Sequence, residues 1–241
     1  MGRLTAVELA RLAKSLPDIP RFVETRAMML DDHCEIFGFA EANPANFVVR
    51  NQQIGTMAVI GKPAGEAIPA AVESSVLQGA VLAFDNNFSL VESVLPHWRS
   101  EKAILHLPGD AQSFPVVPDG QVRFLEAGEI SSLTNLSNEL KDELIVAAKL
   151  TSVAATIVDN QPVSFCYAGA TTETLWDISI DTIESFRGRG FAAVCIAFMI
   201  DYFNRQGKMP VWGALVSNTA SMKLAAKLGF VPVDELFVFE S

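Results

Sequence analysis

Cysteine and histidine are scarce in this chain, with three of each in 241 residues. Cys34, Cys166 and Cys195 form no Cys-x-x-Cys pair and are odd in number. A disulfide framework is therefore disfavoured, and a reducing compartment fits. Basic residues are in deficit: 18 Lys and Arg face 28 Asp and Glu, for a net charge of −10 and a pI near 4.8. That balance argues against a general nucleic-acid binder and mildly favours a cationic partner such as an amine. Long apolar runs are missing too. FAAVCIAFMI, at 191–200, is about half of what a membrane span needs. The start, MGRLTAVELARLAKSLP, reads as an amphipathic helix rather than a secretory leader. Ala6 stands where a myristoylation signal requires Ser or Thr. The expectation is a soluble cytoplasmic protein with no membrane or nucleic-acid partner.

Half of the residues are hydrophobic and 19% are charged, enough to bury a core. No solenoid-type period is present. By spacing, 5–16 and roughly 20–40 read as helices, and 46–61 as a hairpin around Asn51–Gln53. GKPAGEAIP reads as a loop, 86–96 as a helix and 102–107 as a strand. Residues 107–121, rich in Pro and Gly, form the best linker. QVRFLEAG then reads as a strand. Leu133, Leu136, Leu140, Leu144 and Ala148 share one face of a helix over 132–149. A hairpin turning at Asp159–Pro162, a strand over 173–182, a helix over 190–206, a strand at MPVWGALVSN, a helix ending at Gly229 and a last strand complete a β-α-β-β-β-α-β-α-β order. The helix over 190–206 should bury Phe191, Val194, Cys195, Phe198, Met199 and Tyr202. The fold class is α/β, an α+β arrangement with a mixed sheet.

The chemistry concentrates in ESFRGRGFAAVCIAFM, 184–199. It joins a strand to a helix, and a helix start carries unpaired amide donors and partial positive charge. Glycines there let the backbone curl and a ligand approach. Arg187 and Arg189 suit a diphosphate. The Walker pattern lacks its Lys-Ser/Thr, and the dinucleotide pattern has Ala193 in place of its third glycine. The segment DDHCE, 31–35, lacks metal-site spacing and reads as a solvated helix face; no metal is expected. Cys166 and Cys195 read as packing residues. Trp176 and Trp212 lie on strands that would border a cleft, where they shape an acceptor pocket or fill the core.

Arg187-Gly188-Arg189-Gly190-Phe191-Ala192 matches Gln/Arg-x-x-Gly-x-Gly/Ala, and NTASMKLAAKLGF, 218–230, follows at the right distance. Together they resemble the two signatures of the GNAT superfamily of N-acetyltransferases, over roughly 121–241. The resemblance implies a GNAT domain at 116–241 after an N-terminal α/β region at 1–115, itself a candidate diverged GNAT-like domain. It implies acetyl-CoA as cosubstrate. The pyrophosphate would be held by Arg187, Gly188, Arg189, Gly190, Phe191, Ala192 and Ala193. Ile180, Asp181 and Thr182 would pair with the pantetheine arm, and Asn218 would also contact the cofactor. The acceptor would be the primary amine of a small molecule or peptide, attacking the thioester directly. The usual proton-transfer positions of the family hold Ala225, Gly213 and Trp176. Asp177 is then the candidate base, ahead of Asp181 and Glu184, and Ser221 a candidate thiolate partner. The alternative is an inactive acetyl-CoA sensor or interaction module. Neither oligomeric state nor acceptor is readable.

Overall fold

The computed structural model describes residues 5–40, 44–77 and 79–241. In chain order the first elements are α1 (Ala6–Ala13), α2 (Val23–Met29), β1 (Cys34–Phe37), β2 (Phe47–Asn51), β3 (Met57–Ile60), α3 (Ala67–Glu73), β4 (Val81–Ala83), α4 (Phe88–Val94) and β5 (Arg99–Pro108). Then come β6 (Val122–Leu125), α5 (Ala127–Ser132), α6 (Asn138–Leu150), β7 (Val153–Val158), β8 (Gln161–Thr171) and β9 (Leu175–Thr182). The chain closes with α7 (Phe191–Asn204), β10 (Met209–Leu215), α8 (Thr219–Lys227) and β11 (Phe230–Glu240).

Local chemistry accounts for several boundaries. Thr5 starts α1 with a capping box, its oxygen accepting from the Glu8 amide while its own amide donates to the Glu8 carboxylate. Asp159 and Asn160, at φ 48° and 62°, make the left-handed turn between β7 and β8. The expected helix over 20–40 stops at Met29. Asp31 accepts the His33 amide at 2.6 Å, and β1 begins at Cys34, so DDHCE is a turn entering a strand rather than a helix face. The expected helix over 132–149 begins only at Asn138, where Ser137 caps it by accepting from the Leu140 amide at 3.2 Å; the short α5 ends at Ser132, before most of that span. The leucine stripe is still one core, with Leu144 fully buried among Leu133, Leu136, Leu140 and Ala148. The start of the expected 61–69 loop stands, but α3 takes over at Ala67.

Two compact units emerge. The first comprises the chain to His106 with Gly213–Met222 and Pro232–Ser241. Its strands run in the order β1-β2-β3-β4-β11-β5; β1, β2 and β3 are antiparallel, β3 and β4 parallel, and β11 antiparallel to β4. Phe47, Val49, Ala58 and Leu82 pack on one face, and Val48, Val59, Val81 and Ala83 on the other.

Arg21 grips Asp234 through Nε, at 2.8 and 3.0 Å from its two oxygens, and through Nη2. Burial opposes ionisation of Asp234, but the Arg21 guanidinium and the Glu235 amide outweigh it and hold the carboxyl below its ordinary value. Stability from such a group is present above the ordinary aspartate value and lost as pH falls through the depressed one. Asp234→Asn should therefore cost about 1–2 kcal/mol at neutral pH, and the difference should vanish well below pH ~4. Thermal melts of the two proteins across that range test it.

The second unit holds Leu107–Trp212 and Lys223–Val231, with strand order β10-β9-β8-β7-β6. The strands β6 to β9 form an antiparallel meander, and β10 joins β9 in parallel. A β-bulge between Ala168 and Thr171 of β8 lies across from Trp176–Ile178 of β9. The two sides of β9 differ. Trp176 stacks on Phe203 of α7 at 4.4 Å, which assigns one side to α7. Asp177, Ser179 and Asp181 alternate with it and take the side that α6 covers. The linker-like stretch is packed into this unit: Gly109 donates to the Gly229 carbonyl at 2.8 Å and Ser113 to the Leu228 carbonyl at 3.2 Å.

Candidate active site

The parallel ladder between β9 and β10 is short. It runs over Leu175–Met209, Trp176–Pro210 and Asp177–Val211 and ends there. Beyond it, Ile180, Asp181 and Thr182 keep their partners on β8, namely Cys166, Phe165 and Ser164. A strand whose ladder ends early offers backbone amides and carbonyls to an incoming amide-bearing chain. The Asp181 carbonyl already accepts from the Ser164 hydroxyl at 3.1 Å and the Thr182 carbonyl from Arg187 Nε at 3.1 Å. Each retains a second lone pair.

The Arg187 contact ties the loop back to the strand end. A 3-10 turn at Glu184–Phe186 follows Thr182, and the chain then reaches Gly188 at φ 73° and Gly190 at φ 87°. These left-handed angles are what the two glycines supply. Gly190 stands at the start of α7 and no side chain caps that start. The first backbone amide to close onto the helix is that of Val194, which donates to the Gly190 carbonyl. The amides of Phe191, Ala192 and Ala193 thus fall in the turn whose donors the helix leaves over. A Cβ placed on Gly188 or Gly190 would meet nothing within 4 Å, so the loop surrounds open space. The Arg189 guanidinium lies over Phe186 and Phe191, at 5.3 and 5.0 Å from the ring centres. Next to it is a cleft of about 370 Å³ whose walls include Phe114, Gln121, Arg189, Phe191 and Lys227. Two cations, two aromatic rings and a helix start make a surface suited to a phosphorylated, partly apolar ligand.

The helix behind the loop buries a different set from the expected stripe. Cys195 and Met199 are in the core, joined by Ala193, Ile196, Ile200 and Phe203. Phe191, Val194, Phe198 and Tyr202 are half-buried, and Phe124 of β6 covers Phe198 and Tyr202. The helix is apolar nearly all round, so spacing alone cannot orient it.

Asn218 caps α8: its Oδ1 accepts from the Ser221 amide at 3.0 Å. Ser221 is thereby the third helical residue. Both belong to the first compact unit, whereas 180–193 belong to the second. Ala225 is fully buried, and so are Trp176 and Trp212, the latter against Phe230. The two tryptophans fill the core. Burial pushes the Cys166 thiol well above its usual value and that of Cys195 up to about 12, which leaves both as poor nucleophiles. His97 is exposed and His106 buried. Among the described residues no group of His, Cys, Asp and Glu could hold a metal, and no helix is long and apolar enough to cross a membrane.

The polar side of β9 was only half visible in the sequence. A Cβ on Gly169, in the β8 bulge, would come within 2.9 Å of Ser179 Oγ and 3.2 Å of Asp177 Oδ2, so the glycine makes room for both. Tyr167, opposite Ser179 in the ladder, donates its hydroxyl to the Glu143 carboxylate on α6. Partial burial raises the Asp181 carboxyl, the Glu143 charge adds to this and Arg187 opposes it. Burial and then Glu143 raise the Tyr167 phenol, keeping it a neutral donor. Sequence reading missed Glu143 and Tyr167. The signal for Tyr167 was the alternation of Asp177, Ser179 and Asp181 on an interior strand, which demands polar company on β8.

Known proteins resemble this chain in sequence and in fold. Residues 154–239, from β7 to β11, match the family described as GNAT acetyltransferase. An uncharacterised N-acetyltransferase of Bacillus subtilis (strain 168), YdfB, is 32% identical over 87 residues, 36% of this chain. That stretch spans about a third of the relative's length, 33%. A GCN5-related N-acetyltransferase-like protein of Streptococcus suis shares the fold at a TM-score of 0.67, with 18% identity over 98% of this chain and 97% of that one. A GNAT-family acetyltransferase of Colwellia psychrerythraea does so at 0.61, with 14% identity over 99% and 98%. Over residues 154–239 the chain is therefore similar in sequence to the GNAT acetyltransferase family, and nearly its whole length shares the fold of GNAT structures.

Proposed function

We propose that the protein transfers an acetyl or other short acyl group from acyl-CoA to a primary amine. The observation that carries this is the pairing of two features at one strand end: a ladder that stops at Asp177–Val211 and an uncapped, glycine-opened helix start. In this reading Ile180–Thr182 align the pantetheine arm, the amides of 191–193 hold the pyrophosphate, and Arg187 and Arg189 add charge. The cleft between Phe114, Arg189 and Lys227 takes the rest of the nucleotide. A thioester is already activated, so much of the rate comes from placing the amine beside it. The acidic side of β9 suits a cationic acceptor, with Asp177 and Asp181 the carboxylates on the strand itself.

We extend the reading to the first unit. Its helices, antiparallel β1-β2-β3, helix α3 and parallel β4 repeat the order of α5–α6, β7-β8-β9, α7 and β10. The turn Lys62-Pro63-Ala64-Gly65-Glu66-Ala67 keeps the spacing of Arg187–Ala192. However, Pro63 has no amide hydrogen and Glu66 puts a carboxylate at the start of α3. This unit is proposed to be a diverged GNAT-like domain without a phosphate loop, so that one chain holds one acyl-CoA.

A thiol-release assay with acetyl-CoA and a panel of monoamines, polyamines, amino-acid amides and peptides tests the activity. Amine-dependent CoA release is expected. Binding without release on any amine would favour a second reading, a cofactor-sensing module. Buried Trp176 and Ala225 at positions where relatives keep proton-transfer groups are what motivate it.

A further inference from the structure

Across β8, β9 and α6 runs a single polar arrangement beside the proposed cofactor strand. Tyr167 is 6% exposed, yet its hydroxyl is aimed at one carboxylate oxygen of Glu143. Ser179 stands directly opposite Tyr167 in the ladder. Asp181 stands two residues further along the same side of β9, close enough to Glu143 and Arg187 to feel both charges. Glu143 itself is exposed on α6. A buried phenol that reaches out to fix an exposed carboxylate holds a proton acceptor at a set position while leaving it open to water. An amine base needs both properties, a fixed reach to the nitrogen and a route to shed the proton.

Resting on the acyl-transfer reading, we propose that Glu143 is the general base of the reaction and Tyr167 the residue that positions it. The acceptor ammonium gives one proton to a Glu143 oxygen and becomes a neutral amine. Its nitrogen attacks the thioester carbonyl carbon, the C–N bond forms and the C–S bond breaks. The second nitrogen proton goes to the departing thiolate, which leaves as CoA thiol. Glu143 then returns its proton to solvent. Asp177 is less suited to the role, since it sits against the Gly169 bulge beside Ser179, further along β9 from the strand end than Asp181.

The experiment compares wild type, Glu143→Gln, Tyr167→Phe and Asp177→Asn in CoA release from acetyl-CoA. Two acceptors are used: a primary alkylamine, protonated at neutral pH, and hydroxylamine, neutral there. With the alkylamine, kcat of Glu143→Gln should fall about 100-fold, the usual worth of a positioned base, with KM for acetyl-CoA unchanged. Its pH–rate profile should lose the limb that rises from acid pH. With hydroxylamine the loss should be under about 10-fold, since no proton need be removed before attack. Tyr167→Phe should lose about 10-fold with the alkylamine at unchanged melting temperature and keep the limb, displaced in pH. Equal losses on both acceptors, or loss of the limb in Asp177→Asn but not in Glu143→Gln, would overturn the assignment while leaving acyl transfer intact. No release by wild type with either acceptor would overturn both.

Discussion

Gly190→Glu is expected to leave the protein folded and at least 100-fold weaker in binding acetyl-CoA. Two costs combine. Gly190 sits at φ 87°, where a residue with a Cβ pays about 1–2 kcal/mol. The new carboxylate would also stand at the helix start, in the space proposed for the diphosphate. Two like charges about 4 Å apart near a protein surface repel by about 4 kcal/mol. The first cost falls on stability, and the repulsion alone exceeds the ~2.7 kcal/mol that a 100-fold change in affinity requires. The fold should survive because nothing lies within 4 Å of the added Cβ and the position is exposed. Gly190→Ala separates the terms. It carries only the backbone cost, which falls on the folded protein with or without ligand, so it should lower stability by about 1–2 kcal/mol and leave affinity close to wild type. Calorimetric titration with acetyl-CoA reads both variants; equal affinities for Gly190→Glu and wild type would contradict the loop assignment.

Trp176→Glu has the largest expected effect on stability. The resemblance to GNAT proteins puts one of their usual proton-transfer positions here, so the exchange looks like a restoration. Here the position is core. Trp176 is fully buried and stacks on Phe203 with an interplanar angle of 22°. Removing its packing costs about 3–5 kcal/mol. The carboxylate left behind would be buried without a cation, adding several kcal/mol more. The sum consumes most of the ~5–15 kcal/mol that keeps a domain folded. The variant should be insoluble or should melt more than 10 °C lower, roughly the shift that 3–5 kcal/mol produces in a domain this size. Trp176→Phe should lose about 1–3 kcal/mol and keep its turnover. A folded Trp176→Glu with raised turnover would mean that the side chain faces the acceptor after all.

These two residues show what was legible in the sequence and what was not. The loop at 187–193 could be read because an uncapped, glycine-opened turn from strand to helix constrains residue identity within a few consecutive positions. Gly188 and Gly190 are needed for their positive φ, and no other residue type supplies it cheaply. Trp176 was ambiguous, because strand alternation gives two sides without saying which is covered. The stack on Phe203 decides it. The long elements of the second half, β7 to α8, were placed by their patterns, although α7, apolar nearly all round, buries a different stripe from the expected one. The three-residue β4 and four-residue β1 carried too few positions to show a period. That β11 pairs with β4 in the first unit is invisible to any local pattern, since 156 residues separate Leu82 from its partner Val238 and sheet order is not chain order. Glu143 escaped for the same reason. Its partner Tyr167 is 24 positions away, and only the packing of α6 on β8 brings them together.

The most direct test of the central claim is a titration of the full chain with acetyl-CoA, with Gly190→Glu and Glu66→Ala alongside. The account predicts one site per chain, lost in Gly190→Glu and unaltered in Glu66→Ala. Absence of binding, two sites per chain, or a site indifferent to Gly190 would contradict it.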